Sequence, residues 1–152
     1  MTEEPSYNFP FSKSFIVDGH AETKGSAKAF PVKGRCIITN DNPKCKRWQQ
    51  TVASRACAEG VEKRDAVHVS IRFEFAIPKS AIKKRTGNTP HTQKPDIDKL
   101  IRPILDALTG IAYADDSAVV SVTAEKRWSD FDRVKISIFD LQSTPNSVTI
   151  YT

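Results

Sequence analysis

From Ala66 to Ile77 the chain alternates almost without a break: Val67, Val69, Ile71, Phe73, Phe75 and Ile77 are apolar, and His68, Ser70, Arg72 and Glu74 between them are polar. A period of two puts all the apolar side chains on one face, so this stretch predicts a strand with one buried and one polar side. Two further runs, AVVSVTAEKRW from Ala118 and VKISIF from Val134, have strand composition and are separated by the turn SDFDR, which predicts a hairpin over residues 118–139. Phe15–Val17 and RCIITN predict shorter strands on either side of the turn-rich DGHAETKGSAKAF.

Two other stretches follow the helical period. In NDNPKCKRWQQTVASRACAEG, Asn42 is placed to cap, Pro43 suits the first helical position, Trp48, Val52 and Ala56 share one face, and Gly60 ends the run. The second helix runs from Asp96 or Asp98 to Thr109, with Ile97, Ile101, Ile104, Leu105 and Leu108 as its apolar stripe and Gly110 as its stop. Pro103 lies inside it; lacking an N–H, it removes one backbone bond, and a kink or a shifted start is expected. The expected fold is α+β: a small mixed β-sheet built around the 66–77 strand and the 118–139 hairpin, packed by two main helices. One domain fills residues 14–140, between a flexible terminus over 1–13 and a tail over 141–152.

Composition narrows the partners. A chain of 152 residues is one domain's worth. Its 23 Lys and Arg against 18 Asp and Glu give a net charge of +5, which favours a polyanionic partner without establishing one. Cys36, Cys45 and Cys57 form no C-x-x-C pair, so neither a disulfide framework nor a zinc site is indicated. The acidic N-terminus has no signal-peptide character, and no run approaches the ~18 apolar residues of a membrane span. A soluble protein of the reducing cytoplasm is expected.

Residues 78–94, PKSAIKKRTGNTPHTQK, hold Lys79, Lys83, Lys84, Arg85 and Lys94 and no apolar period. A connection of that length is either a linker or a mobile functional loop, here a basic one suited to DNA phosphates.

The acids that follow are the candidate chemistry. Asp96 and Asp98 flank Ile97 at the mouth of the second helix, and Asp115 and Asp116 stand at the mouth of the next strand. Converging carboxylates suit a hard cation such as Mg²⁺; taken singly, each is better explained as a helix cap or a turn residue. The helix is about 17 Å long at ~1.5 Å per residue, and residues 110–116 fully extended reach roughly 23 Å. Asp116 therefore meets Asp98 only if that connection runs straight back along the helix; otherwise a second subunit must complete the site. Arg102, four residues after Asp98 and four before Asp106, reads either as part of a surface ion-pair ladder or as a guanidinium placed over a scissile phosphate.

KPDIDKLIRPILDALTGIAYADDSAVV, Lys94 to Val120, resembles the signature of the RusA-type Holliday junction resolvases, phage-derived and bacterial endonucleases with D-x-D at a helix start, an LDALTG-like helix end and an aspartate pair before a strand. GHAETKGSAKAF is similar to that family's early basic turn, with Lys24 at its lysine. The resemblance implies a homodimer in the bacterial host cytoplasm that takes no small-molecule cofactor and resolves four-way DNA junctions by paired nicks during recombination and repair. It places the essential carboxylates on Asp96, Asp98 and Asp116, with Asp115 a possible helper, holding Mg²⁺, for which Mn²⁺ would substitute. Where the family commonly has a lysine, this chain has Arg102, which cannot give up a proton at neutral pH and so is expected to act electrostatically. Lys24, Lys28, Lys33, Arg35, Lys83, Lys84, Arg85 and Lys94 are the expected phosphate contacts.

The competing readings are a non-catalytic DNA-binding module whose aspartates only cap, a nuclease of forks or flaps, and a phosphohydrolase of small phosphates, for which the long basic loop has no use. Trp48 and Trp128 suit the core or a dimer interface better than base stacking. His20, His68 and His91 are scattered, with His91 alone placed where it would touch phosphate.

Overall fold

The computed structural model describes residues 11–25, 28–39, 42–82 and 87–141. Along the chain these form β1 (Phe11–Asp18), β2 (Lys28–Val32), β3 (Arg35–Thr39), α1 (Pro43–Ala58), β4 (Val67–Ala76), α2 (Ile97–Leu108), β5 (Val119–Ser129) and β6 (Arg133–Asp140). β1 begins three residues before the expected domain start at residue 14. No described helix is long and apolar enough to cross a membrane.

β4 carries the alternation read from the sequence, and Val67, Val69, Ile71, Phe73 and Phe75 are buried. Phe15 and Val17 of β1 and Val134, Ile136 and Ile138 of β6 join them in one core. That core is closed by Trp48, Val52 and Ala56 of α1 and by Leu100, Ile104, Ala107 and Leu108 of α2. The polar side of the sheet is laced by Arg72 Nε–Glu125 Oε1 at 2.5 Å and by Arg133 on Glu74. Both tryptophans are buried, so neither presents a ring to bases.

The sheet is mixed, in the order β1-β6-β4-β5, with β4 parallel to β5 and antiparallel to β6. The expected 118–139 hairpin is therefore not formed, because β4 lies between its two arms. Residues 130–132 arch over the end of β4 to connect strands two spacings, or about 9.6 Å, apart. Asp132 holds the arch: Oδ1 accepts from Ala76 N at 2.8 Å, Oδ2 lies 3.2 Å from His20 Nδ1, and its carbonyl accepts from Gly19 N. Gly19 has φ +133°, and a Cβ there would sit 3.1 Å from the Trp48 ring, so both its conformation and its closeness to α1 require glycine.

A second hairpin, β2–β3, was not legible as such; it turns at Lys33 and Gly34, both with positive φ (45° and 75°), the turn whose twist suits a two-residue connection. α1 follows its signals: Asn42 Oδ1 accepts from Lys44 N at 3.2 Å, and Gly60 takes the positive φ beyond the C-terminus. α2 departs from the predicted stripe. Leu100, Pro103, Ile104, Ala107 and Leu108 are buried, whereas Ile97, Ile101 and Leu105 are only partly covered. The helix carries six Ile and Leu residues, and the tertiary contacts, not the pattern, choose the face turned to the sheet.

The basic connection is not one loose loop. Its second half lies along β5: Asn88 N donates to Trp128 O, Trp128 N to Thr89 O at 2.8 Å, and His91 N to Lys126 O at 3.1 Å. His91 is buried, 4.6 Å from the Phe75 ring and 4.1 Å from Trp128, and so is no phosphate contact. Lys83, Lys84 and Arg85 lie outside the described residues, as do residues 1–10 and 142–152.

Candidate active site

α2 runs antiparallel to the two parallel strands it connects, so its start lies beside the end of β5. Lys126, on β5, donates from Nζ to Gln93 O at 2.7 Å and to Pro95 O at 2.8 Å, fixing the chain just before the helix. Asp96 follows in the N-cap position with extended backbone, yet its side chain makes no capping bond. A structural aspartate there would accept from the N–H two or three residues on. Instead its oxygens lie 3.6 Å from Lys94 Nζ and 3.6 Å from Lys99 Nζ, exposed pairs worth about 1 kcal/mol at most. Such contacts are easily exchanged for a stronger cation.

Asp98 and Arg102 are exposed, and among the described residues neither side chain has a hydrogen bond or an ion pair. The surface ladder is thus not built: Asp106 bonds Lys24 Nζ at 3.1 Å, and Arg102 is left facing solvent one turn below Asp98. An exposed guanidinium beside exposed carboxylates suits an anion that also meets a metal, as phosphate does.

The two aspartates before β5 divide their roles. Asp115 Oδ1 accepts from Ser117 N at 2.9 Å and caps the short turn Asp116–Ala118, and that bond holds its carboxyl below the usual range. Asp116 gives that turn only its backbone carbonyl, which accepts from Val119 N. Tyr113 Oη donates to Leu105 O at 2.6 Å, and the phenol is pushed well above its ordinary value, first by burial and then by the charge of Asp116. Tyr113 thus meets α2 at Leu105, seven residues, about 10 Å along the axis, beyond Asp98, and Asp116 is near enough to act on that phenol.

The straight return that would have joined the two pairs does not occur. Gly110 N donates to Tyr113 O at 2.7 Å and Ala112 N to Leu108 O at 2.9 Å, wrapping the chain around the helix end. Among the described residues no three side chains of His, Cys, Asp or Glu stand close enough together to hold a metal ion. Asp96, Asp98 and Asp116 therefore do not gather into a three-carboxylate set within the described residues of one protomer, and that set alone does not fit Mg²⁺.

The basic residues fall into two sets. Lys33 and Arg35 project, exposed, from the tip of β2–β3, with Lys28 in its first strand; Lys94 is exposed beside Asp96. Lys24 is engaged by Asp106 in a half-exposed pair. Sequence reasoning missed Lys126, because its role depends on residues 88–95 lying along β5, which no local pattern shows.

The family model described as Endodeoxyribonuclease RusA matches residues 20–139. The uncharacterized protein YqaN of Bacillus subtilis (strain 168) is 28% identical over 138 residues, which span 85% of this chain and 96% of YqaN.

Proposed function

The chain belongs to the RusA family of endodeoxyribonucleases, and on that premise we propose that it resolves four-way DNA junctions by paired nicks in strands of like polarity, in a Mg²⁺-dependent hydrolysis. One observation carries the placement of the chemistry: Asp96 occupies a capping position without capping, next to Asp98 and Arg102, which have no partner among the described residues. Carboxylates whose oxygens serve no structural bond on an exposed helix mouth are available for work outside the chain.

The incomplete carboxylate set favours a homodimer. β5 is an edge strand, and residues 88–91 cover only its last part, from Lys126 to Trp128. From Val120 to Ala124 its outer edge is unpaired among the described residues, and Val120 and Val122 are 66% and 38% exposed. Such an edge is a template for another strand. Antiparallel pairing with a second copy about a two-fold axis sets the start of one β5 beside the end of the other. Asp116 of one subunit then approaches Asp96 and Asp98 of its partner, and Asp115 orients the turn that presents it. A divalent ion bound there supplies Lewis-acid activation of water and of the phosphate. Arg102 adds fixed positive charge where the phosphate gains negative charge, without exchanging a proton. The arm bearing Lys28, Lys33 and Arg35, with Lys94, grips backbone phosphates and few base edges, as binding by DNA shape demands.

The test is a nicking assay on a synthetic four-way junction and its linear duplex arms with Mg²⁺, together with a salt titration of binding. Expected are two symmetric nicks in the junction, none in the duplex, and log affinity falling with log salt at a slope near −0.9 per phosphate contacted. Tight junction binding with no nick at any Mg²⁺ or Mn²⁺ concentration would favour the non-catalytic module; cuts confined to forks or flaps would move the substrate.

A further inference from the structure

Pro103 has no N–H to give to Lys99 O, so mid-helix that carbonyl lacks its bond from within α2. Lys24 supplies one: its backbone N donates to Lys99 O at 3.4 Å, while its Nζ reaches Asp106 Oδ2 at 3.1 Å, about two turns further along the same helix. A single residue thus grips α2 at two points, by main chain and by side chain. Next to it, Asn42 Nδ2 donates to Thr23 O at 3.0 Å, tying the residue before Lys24 to the cap of α1. Thr23 and Asn42 flank the β2–β3 arm in sequence, so the arm's base is pinched shut there, and Lys24 fastens that base to α2.

We propose that Lys24 is a positioning residue: with Asp106 and the Lys99 carbonyl that Pro103 leaves open, it locks the base of the β2–β3 arm to the helix bearing Asp96, Asp98 and Arg102. Phosphates gripped along the arm and the phosphate to be cut then lie in one fixed register. This rests on the junction-nuclease reading and reassigns Lys24, whose resemblance-derived role was phosphate contact. The half-exposed Lys24 ammonium already lies 3.1 Å from a carboxylate of its own chain; the exposed Lys33 and Arg35 do not share that constraint.

The two roles part in a double-mutant cycle of Lys24→Met and Asp106→Asn on the full chain. As a lock, each single variant lowers the single-turnover cutting rate at saturating junction by ~10-fold or more, within the ~10²-fold that a 1 Å misplacement can cost. The double variant is then no slower than either single one, and Lys24→Arg recovers most of the rate. As a phosphate contact, Lys24→Met weakens binding and leaves the saturated rate, whereas Asp106→Asn, by freeing the ammonium and removing an anion, tightens binding; that result overturns the proposal. Amide hydrogen exchange gives a readout independent of activity. The Lys24 N–H should exchange faster, and equally so, in both single variants, and unchanged exchange in Asp106→Asn would also overturn the lock. Failure of the wild type to nick any junction removes the nuclease reading, and the exchange measurement still decides the lock.

Discussion

Asp98→Asn is expected to lose cutting by ~10³-fold or more while binding a four-way junction as tightly as the wild type, or more tightly. The two effects separate because Asp98 does almost nothing for the fold. It is exposed in the first turn of α2, without a partner among the described residues, and its favourable place at the helix N-terminus is worth about 1 kcal/mol at most. Loss of a charged oxygen from a metal-dependent centre costs several kcal/mol of transition-state stabilisation, each 1.36 kcal/mol being about tenfold in rate. Binding improves, if anything, since one negative charge facing phosphate is gone. Gel-shift affinity and single-turnover rate on the same junction check both halves. A variant that cuts at the wild-type rate makes Asp98 a bystander, and one that loses binding and cutting together makes its role structural.

A mixture of Asp98→Asn with Asp116→Asn is expected to regain activity that neither variant has alone. If each site takes Asp96 and Asp98 from one subunit and Asp116 from the other, a mixed dimer has one intact site and one doubly altered site. Subunit exchange between equal amounts leaves half the dimers mixed, so about a quarter of all sites are whole. Those sites nick one strand without the paired second cut. If all three aspartates served a site within one chain, every site in every dimer would carry a lesion and the mixture would stay inactive. Co-expression with different tags isolates the mixed dimer and makes the comparison quantitative.

The sequence disclosed what depends on local chemistry. The alternation through β4, Asn42 and Pro43 at the start of α1, Gly60 and Gly110 past the two helix ends, and both aspartate pairs at the mouths of their elements all stand where the pattern put them. What it hid depends on neighbours far along the chain. Two strands joined by a short turn read as a hairpin, and only the parallel pairing of β4 with β5 reveals that β4 occupies the place between them. Residues 88–91 carry no strand pattern because their backbone bonds Lys126 and Trp128 and only His91 is buried. The face α2 turns inward was ambiguous because Ile97 and Ile101 are as apolar as Leu100. Pro103 read as damage to a helix; the bond it omits is the one Lys24 uses. The arithmetic of chain reach allowed Asp116 to meet Asp98 only by a straight return, and no local pattern shows that the chain wraps instead at Gly110–Tyr113.

Carboxylates from the mouth of α2 and the start of β5 are expected to converge on one divalent ion when two copies associate. A crystal structure of the full chain soaked in Mn²⁺, with the ion located by its anomalous scattering, tests this directly. The expected result is an ion ligated by Asp96 and Asp98 of one subunit and Asp116 of the other, on an interface along β5. Asp116 beyond coordination distance of both in every protomer and across every protomer contact, or an ion held elsewhere, would contradict it.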